Sequence, residues 1–297
     1  MKQLLFLYNP HAGKARLSDQ VAAVTQLFQQ AGYLVTVYAT TCPGDATERV
    51  CQWGGSYDHL VCAGGDGTLS EVITGLLRGG HRTPLGYIPA GSTNDFSRTL
   101  ELPLNPIQAA QVAVNGTPQL CDVGTFNHRY FVYVAAFGAF TSVSYATPQE
   151  FKNIFGHLAY LMQGIKSLGE ITSYHLSVRY DGQTLEGDYI YGMVSNSTSV
   201  GGFQGIMAEK VILDDGLFEV MLVKTPQSLS DLNNIIGSLL SHTPNQNVVA
   251  FQAQRLEFQS TSDIPWTLDG EYGGSCCLAE VTNQQGAMTI MSNRHET

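Results

Sequence analysis

Hydrophobic residues follow two alternating patterns over the first 123 residues of the chain. Short apolar runs, typical of buried strands, are separated by stretches in which apolar residues recur at helical spacing. The predicted strands are Leu4–Tyr8, Tyr33–Tyr38, Leu60–Ala63 and Leu85–Pro89, and the predicted helices lie at 17–31, 46–53, 69–77 and after Pro106. This alternation predicts an α/β domain with a doubly wound, mainly parallel sheet.

Beyond Gly124 the pattern changes to a succession of short β runs. The predicted strands are 129–135, 174–180, 188–194, 217–224, 248–259 and 277–282, with Asp181-Gly182 as a strong hairpin signal and with helices at 155–168 and 229–240. This half reads as an antiparallel β-sandwich. We therefore predict a first domain over 1–123, which residues 284–297 are candidates to complete, and a second domain over 124–283.

The stretch LVCAGGDGTLSEV at residues 60–72 carries the clearest local signal. A buried strand breaks into glycines and an aspartate before helical spacing resumes at Leu69 and Val72. Such a turn presents backbone N–H groups and the positive end of a helix dipole, which together suit a phosphate. The alternative is a tight turn in an ordinary α/β unit.

Four polar or glycine-containing loops follow predicted strands of the first domain. They are NPHAG at 9–13, TTCPGD at 40–45, GGDG at 64–67 and PAGSTND at 89–95. Because parallel strands end at one edge of a sheet, we expect these loops to converge there. The chain has neither the P-loop signature nor the glycine spacing of a dinucleotide fold, so this edge requires other phosphate chemistry.

Composition narrows the classes of partner. The chain has 15 basic and 25 acidic residues and a formal net charge of −10, which argues against nucleic acid. The six cysteines form no C-x-x-C pair, the apolar run near the start is shorter than a signal-peptide core, and no stretch approaches the about 20 apolar residues of a membrane span. We expect a cytoplasmic protein whose membrane contact is peripheral and mainly hydrophobic.

Five ordered motifs carry a resemblance to a known family. They are NPHAGK at 9–14, GGDGTLSEV at 64–72, PAGSTNDFS at 89–97, LDDGLFEV at 213–220 and LDGE at 268–271. Together they resemble the bacterial soluble diacylglycerol kinase family, whose catalytic domain is shared by sphingosine and ceramide kinases. The resemblance implies transfer of the ATP γ-phosphoryl group to a lipid hydroxyl in an interdomain cleft, with diacylglycerol as the first candidate acceptor and phosphatidic acid as the product.

The resemblance also implies a nucleotide-binding set. Its members are Asn9, Pro10, His11, Ala12, Gly13, Lys14, Thr40, Gly64, Gly65, Asp66, Gly67, Thr68, Leu69, Ser70, Ser92 and Asn94. Lys14 would be the countercharge to the phosphates. The Asp66 carboxylate would repel a phosphate, so its expected role is to engage phosphate-bound Mg²⁺; the alternative is an aspartate that caps its turn.

Glu271 in LDGE is the general base that the resemblance implies. Asp66 is the rival for that role, and the alternative for Glu271 is an ordinary hairpin-turn residue. A structural Mg²⁺ is implied at Asp215 with the carbonyls of Ile212 and Leu217, beside Asp214. Asp122 would join Asp215 and Glu271 in a hydrogen-bonded network; its alternative role is a strand-end cap.

Two other functions stay open. A NAD kinase would explain GGDGT but neither PAGSTNDFS nor the position of LDGE, and a non-catalytic lipid or nucleotide regulator would share the fold. NPHAG lacks the serine of the family pattern NPxSG, and Met207-Ala208 replaces a frequent Pro-Ala pair.

A homodimer is a candidate assembly. Core packing or an acyl-chain pocket would explain the apolar supply at Phe131, Tyr133, Phe137, Phe140, Tyr145, Phe151, Phe155, Tyr160, Leu161 and Met162.

Overall fold

The computed structural model describes residues 1–13, 18–91, 94–138, 159, 162, 169, 171–196, 212–241 and 243–293. The chain divides into two units, Met1–Asp122 with Gly286–Thr297, and Val123–Gln285. The predictions for Lys14, Ser92 and Met207-Ala208 lie outside the described residues, as does most of the helix predicted at 155–168.

The first unit is built on a parallel sheet. Its strands are β1 (Lys2–Tyr8), β2 (Tyr33–Ala39), β3 (His59–Gly64), β4 (Leu85–Pro89) and the end of the last strand, β13 (Glu271–Ser292), in the order β2-β1-β3-β4-β13. Leu4 lies opposite Val35 of β2 and His59 of β3, and Ile290 lies opposite Leu85. The loops that follow β1 to β4 therefore leave the sheet at one edge.

Helices accompany these strands: α1 (Val21–Gln30), α2 (Asp45–Trp53), α3 (Asp66–Arg78), α4 (Asp95–Thr99) and α5 (Pro106–Asn115), with short 3₁₀ turns at Ser18–Gln20 and Gly54–Ser56. Leu4 and Phe6 share a core with Phe28 of α1 and Ala109 of α5, whereas α2 packs against α3. Leu5, on the opposite side of β1, is equally buried. Continuous apolar strands are thus explained by burial on both faces.

The second unit is a β-sandwich-like domain made of antiparallel pairs. Its elements are β5 (Thr117–Phe126), β6 (Arg129–Phe131), β7 (Val134–Gly138), β8 (Tyr174–Tyr180), β9 (Gln183–Ser195), β10 (Phe218–Lys224), α6 (Leu229–Ser241), β11 (Val248–Ala253), β12 (Arg255–Leu268) and β13. Both β9 and β12 pair with β8 near their starts and with β7 near their ends. β12 contributes Trp266 and Phe258 and β7 contributes Phe137 to one aromatic core of this domain.

Several strand boundaries differ from the sequence-based prediction. The run predicted at 129–135 is interrupted at Val132–Tyr133, and the run at 248–259 is interrupted at Gln254. The strand predicted at 277–282 is the middle of a 22-residue strand, β13, and β5 is absent from the prediction altogether. The full length of β13 was not predicted because the strand contains several glycines, and glycine weakens the sequence pattern of a strand.

The helices of the described residues bear on whether the chain can cross a membrane. None of these helices combines the length and the apolar character that a bilayer crossing requires.

Candidate active site

The glycine-rich turn between β3 and α3 is held from several sides. A Cβ on Gly64 would lie 2.5 Å from the Thr68 hydroxyl oxygen, so glycine is required for Thr68 to fold back over the turn. The Asn9 side-chain amide donates to that hydroxyl at 3.3 Å, and the Asn9 backbone N–H donates to Ala63 at 2.9 Å. The loop after β1 is therefore attached to the turn after β3.

The loop after β1 also meets the loop after β4. Gly13 has φ +62°, a conformation that L side chains rarely adopt, and a Cβ there would collide with the carbonyl oxygen of Ala90. Within the loop, the His11 N–H donates to the Asn9 side-chain oxygen at 2.9 Å. The close backbone approach of Gly13 is the reason that this loop needs a glycine.

The loops after β3 and β4 pack backbone against backbone. A Cβ on Gly91 would lie 2.6 Å from the Cα of Gly65. Asn94, which is in the left-handed region with φ 51°, accepts a hydrogen bond from the Gly91 N–H at 2.8 Å and donates one to the Gly91 carbonyl at 2.9 Å. Both ends of the Asn94 amide thus hold the loop in place.

This packing supports a prediction for Gly91→Ala. We expect the variant to lose roughly 1–3 kcal/mol of stability, because the new methyl group would stand 2.6 Å from the Gly65 Cα and must push the two backbones apart; if these loops hold a nucleotide, as the sequence predicts, its binding should weaken as well. Gly237→Ala is the matched control, since Gly237 has open space around its Cα and lies in α6. Thermal unfolding and ATP titration of both variants check this; equal behaviour of the two alanines would contradict the packing argument.

Asp66 lies at the first position of α3 and reaches the start of α4. Its carboxylate accepts hydrogen bonds from the backbone N–H groups of Asp95 at 3.1 Å and Phe96 at 3.4 Å. Asp66 therefore caps the start of α4, a different element from its own turn before α3. The arrangement brings the carboxylate-bearing residues Asp66 and Asp95 together.

Asp95 is a candidate residue that the sequence-based reasoning missed. Burial raises the pKa of the Asp95 carboxyl group, and the nearby Arg98 opposes that rise. Burial likewise raises the pKa values of Cys62 and Tyr87, to which the charge of Asp66 contributes. After burial, the charges of Asp66 and Asp95 both contribute to the raised pKa of Tyr87, so two acidic residues lie near the glycine loops. The signal in the sequence was an acidic residue at the start of a helix directly after PAGSTN.

The loop after β2 is fixed by two acidic residues. Asp45 accepts hydrogen bonds from the Thr41 N–H at 2.8 Å, the Thr41 hydroxyl at 2.9 Å and the Tyr38 hydroxyl at 3.0 Å. Burial alone would raise the pKa of Asp45, but these hydrogen bonds and the charge of Arg49 lower it below its ordinary value. Glu71 of α3 accepts from the Gly44 N–H at 2.9 Å, which connects this loop to the helix after the glycine turn.

The first unit therefore brings together most of the predicted nucleotide set. Thr40 is buried and its N–H donates to Tyr8, so it lies at the same strand edge. The described members of the set all belong to the end of β3, to loops after β1 to β4 or to the start of α3, namely Asn9, Pro10, His11, Ala12, Gly13, Thr40, Gly64, Gly65, Asp66, Gly67, Thr68, Leu69, Ser70 and Asn94. Each of these loops contacts a neighbouring loop or the helix that follows one.

Glu271 lies in the second unit, at the first position of β13. Leu268 pairs with Glu271 across a tight turn in which Asp269 and Gly270 have φ values of 49° and 84°. Glu271 is exposed, whereas Asp269 is only 7% exposed. The turn chemistry is that of an Asp-Gly hairpin, which presents the glutamate to solvent at a defined place.

The predicted structural metal site lies in the loop before β10. Asp215 accepts a hydrogen bond from the Leu217 N–H at 2.9 Å, and the Asp214 carbonyl accepts one from the Gln285 side chain at 2.9 Å. Ile212 is 55% exposed. In the first unit, the Asp122 carboxylate accepts from the Gly286 N–H at 2.7 Å. The proposed network of Asp122, Asp215 and Glu271 stays a prediction, as does the interdomain cleft.

Small sets of metal donors occur in the part of the chain that the structure describes. Among the described residues, no group of three or more His, Cys, Asp or Glu side chains is placed to hold a metal ion. Mg²⁺ is typically held by one or two carboxylates together with phosphate oxygens and water, so the neighbouring Asp66 and Asp95 fit such an ion by their chemistry. The carboxylate and carbonyl oxygens near Asp215 are donors of the same hard type.

Some of the residues considered for an acyl-chain pocket lie in the core of the second unit, and the others lie outside the described residues. Phe131 and Phe137 are fully buried, Phe131 beside Phe218 at 5.5 Å and Phe137 beside Trp266 at 4.8 Å between ring centroids. These two rings belong to the domain core. The other candidates between Phe140 and Leu161 lie outside the described residues.

Comparison with known proteins agrees with this architecture. The family model described as "Diacylglycerol kinase catalytic domain" matches residues 3–126, and that described as "YegS C-terminal NAD kinase beta sandwich-like domain" matches residues 135–292. A diacylglycerol kinase of Bacillus subtilis (strain 168) is 35% identical over 278 residues, which cover 92% of this chain and 91% of the relative. One from Staphylococcus aureus (strain MRSA252) is 35% identical over 276 residues, 92% and 87% of the two chains.

Solved structures give the same fold. A diacylglycerol kinase from Bacillus anthracis strain Sterne superposes with a TM-score of 0.74 at 23% identity, covering 98% of this chain and 97% of that chain. Another structure from that organism gives a TM-score of 0.81 at 25% identity, with coverage of 98% and 95%. The two-domain kinase fold and its β-sandwich-like second domain define an enzyme of the lipid kinase class. The chain belongs to the diacylglycerol kinase family.

Proposed function

We propose that this enzyme transfers the γ-phosphoryl group of ATP to the free hydroxyl of diacylglycerol and so forms phosphatidic acid. The observation that carries the proposal is the interlocked edge of the first unit, where glycine loops after three parallel strands meet beside Asp66 and Asp95. Phosphoryl transfer depends on positioning and on neutralising charge, which such an edge supplies. A doubly wound sheet and an interdomain active site are part of this proposal.

In this proposal the loops of the first unit hold the nucleotide. Gly13, Gly64 and Gly65 let the main chain approach phosphate oxygens, and the Thr68 and Ser70 hydroxyls are proposed as further donors. Lys14 and Ser92 keep their proposed roles as countercharge and hydroxyl donor. Asn94 contributes indirectly, because its amide is bound to Gly91 and fixes the loop.

Asp66 and Asp95 would hold the Mg²⁺ that accompanies ATP. The bound ion would neutralise charge on the phosphates. The Asp66 carboxylate also sets the start of α4 through its two backbone hydrogen bonds, so it fixes the position of Asp95 as well. Asp215, with the carbonyls of Ile212 and Leu217, is proposed as a separate structural Mg²⁺ site beside Asp214.

Glu271 is the proposed general base. It would accept the proton of the acceptor hydroxyl as the new oxygen–phosphorus bond forms and the bond to the bridging oxygen of ADP breaks. Its exposure at the end of a rigid hairpin suits contact with a substrate. We further propose that the enzyme is cytoplasmic and reaches its lipid by peripheral contact, with little salt dependence because the net charge of −10 gives no general attraction to anionic lipid.

A panel of acceptors tests this function. Purified enzyme with Mg·ATP should phosphorylate diacylglycerol in mixed micelles at least tenfold faster than sphingosine, ceramide, phosphatidylglycerol or NAD. The NAD arm addresses the second candidate, which the likeness of residues 135–292 to a NAD kinase sandwich domain favours. NAD phosphorylation without lipid phosphorylation would overturn the proposal in favour of a NAD kinase. Failure of every acceptor would favour a non-catalytic regulator.

A further inference from the structure

The turn that carries Glu271 has a near twin elsewhere in the second unit. Asp269-Gly270 joins β12 to β13 with φ values of 49° and 84°, and Asp181-Gly182 joins β8 to β9 with φ values of 43° and 81°. Both are two-residue Asp-Gly hairpins of the type that needs positive φ at both positions. Turn formation by itself therefore explains an aspartate at either place equally well.

Asp269 differs from Asp181 in what its carboxylate contacts. One oxygen accepts a hydrogen bond from the Val132 N–H at 2.7 Å, and the other accepts from Tyr133 at 2.9 Å and Val134 at 3.2 Å. The Asp269 N–H in turn donates to the Val134 carbonyl at 2.8 Å. One buried carboxylate thus gathers three consecutive backbone amides from the chain between β6 and β7.

These three amides belong to a buried break in the strand pattern. Val132, Tyr133 and Val134 are 2%, 6% and 4% exposed, so water is a poor substitute for their acceptor. The Tyr133 carbonyl is also bound, by the Ser195 hydroxyl at 2.8 Å and the Asn196 N–H at 3.0 Å. The segment 132–134, whose amides bind Asp269, is therefore also hydrogen-bonded to the end of β9.

The residue after Glu271 is held as well. The Arg129 guanidinium donates to the Tyr272 carbonyl at 3.2 Å, from the strand that leads into the same segment. Asp269 lies two residues before Glu271 and Tyr272 directly follows it. The glutamate backbone is consequently fastened on both sides to residues 129–134.

We propose that Asp269 and Arg129 form a positioning clamp for Glu271, defined as the hydrogen bonds from Asp269 to residues 132–134 and from Arg129 to Tyr272. Asp269 touches no substrate; it sets where the Glu271 carboxylate stands. The proposal rests on the general-base role of Glu271 in the proposed function. Displacing a catalytic group by about 1 Å can lower a rate on the order of 10²-fold, so a clamp of this kind matters for turnover.

Asp269→Asn is the informative substitution. The new side-chain oxygen can still accept from Tyr133 and Val134, while the new NH₂ group faces the Val132 N–H and loosens the clamp. We expect kcat to fall roughly 10–100-fold with the KM for ATP changed less than about twofold. Asp181→Asn, in the twin hairpin, should leave both constants unchanged. Equal kinetics of the Asp269→Asn and Asp181→Asn proteins would overturn the clamp.

A double-substitution cycle separates positioning from a general loss of structure. Placed on top of Glu271→Gln, Asp269→Asn should lower the residual turnover less than about twofold, because the group it positions is already inactive. The same fall in both backgrounds would mean that Asp269 acts on the domain as a whole. Where the Asp269→Asn protein is too unstable to assay, Arg129→Ala enters the same cycle, since Arg129 is exposed and its loss should preserve the fold.

Hydrogen exchange provides a readout that does not depend on activity. The Val132, Tyr133 and Val134 amides should be protected in the wild-type protein. In Asp269→Asn the Val132 amide, which faces the new NH₂ group, should exchange at least tenfold faster and the other two should change less, with no change at any of them in Asp181→Asn. Altered exchange together with a fully active Glu271→Gln protein would retain the contacts but remove the base role, a failure of the proposed function. Unchanged exchange at these amides in Asp269→Asn would overturn the clamp itself.

Discussion

Replacing Glu271 by glutamine is expected to lower kcat on the order of 10²–10⁴-fold while leaving the affinity for ATP nearly unchanged. Glutamine preserves the shape of the side chain and its place at the start of β13, but it cannot accept the proton of the lipid hydroxyl. The loops proposed to bind the nucleotide belong to the other unit, so their contacts should not change. Steady-state turnover with diacylglycerol and a separate ATP titration measure the two effects independently.

Glu280→Gln is the matched control for this substitution. Glu280 is also an exposed glutamate on β13, so its replacement removes the same charge from the same strand. It should keep kcat within about twofold of wild type. A Glu271→Gln protein that loses ATP affinity at unchanged kcat would contradict the assignment of Glu271 as the base.

Replacing Asp66 by asparagine is expected to raise the Mg²⁺ concentration needed for activity and to lower kcat/KM for Mg·ATP on the order of 10²–10³-fold. A proposed ligand of the phosphate-bound ion loses its negative charge, and electrostatic stabilisation of the transition state is reduced by several kcal/mol. The asparagine oxygen can still accept from the Asp95 N–H, the shorter of the two bonds, and only the 3.4 Å bond from the Phe96 N–H is lost, so folding should be affected less than turnover. Magnesium titrations at several ATP concentrations provide the measurement.

Asp58→Asn serves as the control for Asp66. Asp58 also accepts a backbone hydrogen bond, from Gln3 at 2.7 Å, but it precedes β3 and so lies at the opposite end of that strand. Its replacement should leave the magnesium dependence unchanged. If Asp66→Asn lowers kcat at saturating Mg²⁺ while Glu271→Gln has little effect, the base is Asp66 and the two roles must be exchanged.

The α/β half could be predicted well from local patterns because three of its strands, β1, β3 and β4, are buried on both faces. Leu4 to Leu7 are all fully buried, so their apolar run marks β1 directly. Strand boundaries in the second half depend on distant residues instead. The break at Val132–Tyr133 exists because Asp269, more than 130 positions later, takes their amides, and no local pattern contains that information.

The candidate site, too, could be predicted from the sequence only in part. The glycine turn after β3 and the expectation that four loops share an edge follow from residue types and strand order. The close packing of Gly65 against Gly91 does not, because it depends on β3 and β4 being neighbours. Asp95 escaped notice for a related reason. The expected convergence of the loops at 64–67 and 89–95 already placed it near Asp66, but the hydrogen bonds from the start of α4 to the Asp66 carboxylate depend on the folded positions of α3 and α4.

Direct transfer of labelled phosphate is the measurement that tests the central claim most closely. Enzyme, Mg²⁺ and ATP labelled at the γ-phosphate are incubated with diacylglycerol in mixed micelles, and the lipid extract and the released ADP are quantified together. The account predicts label in phosphatidic acid in a one-to-one ratio to ADP, with the signal abolished by removing Mg²⁺ and strongly reduced by Glu271→Gln. ADP formation with label only in free phosphate, or no ADP formation at all, would contradict it.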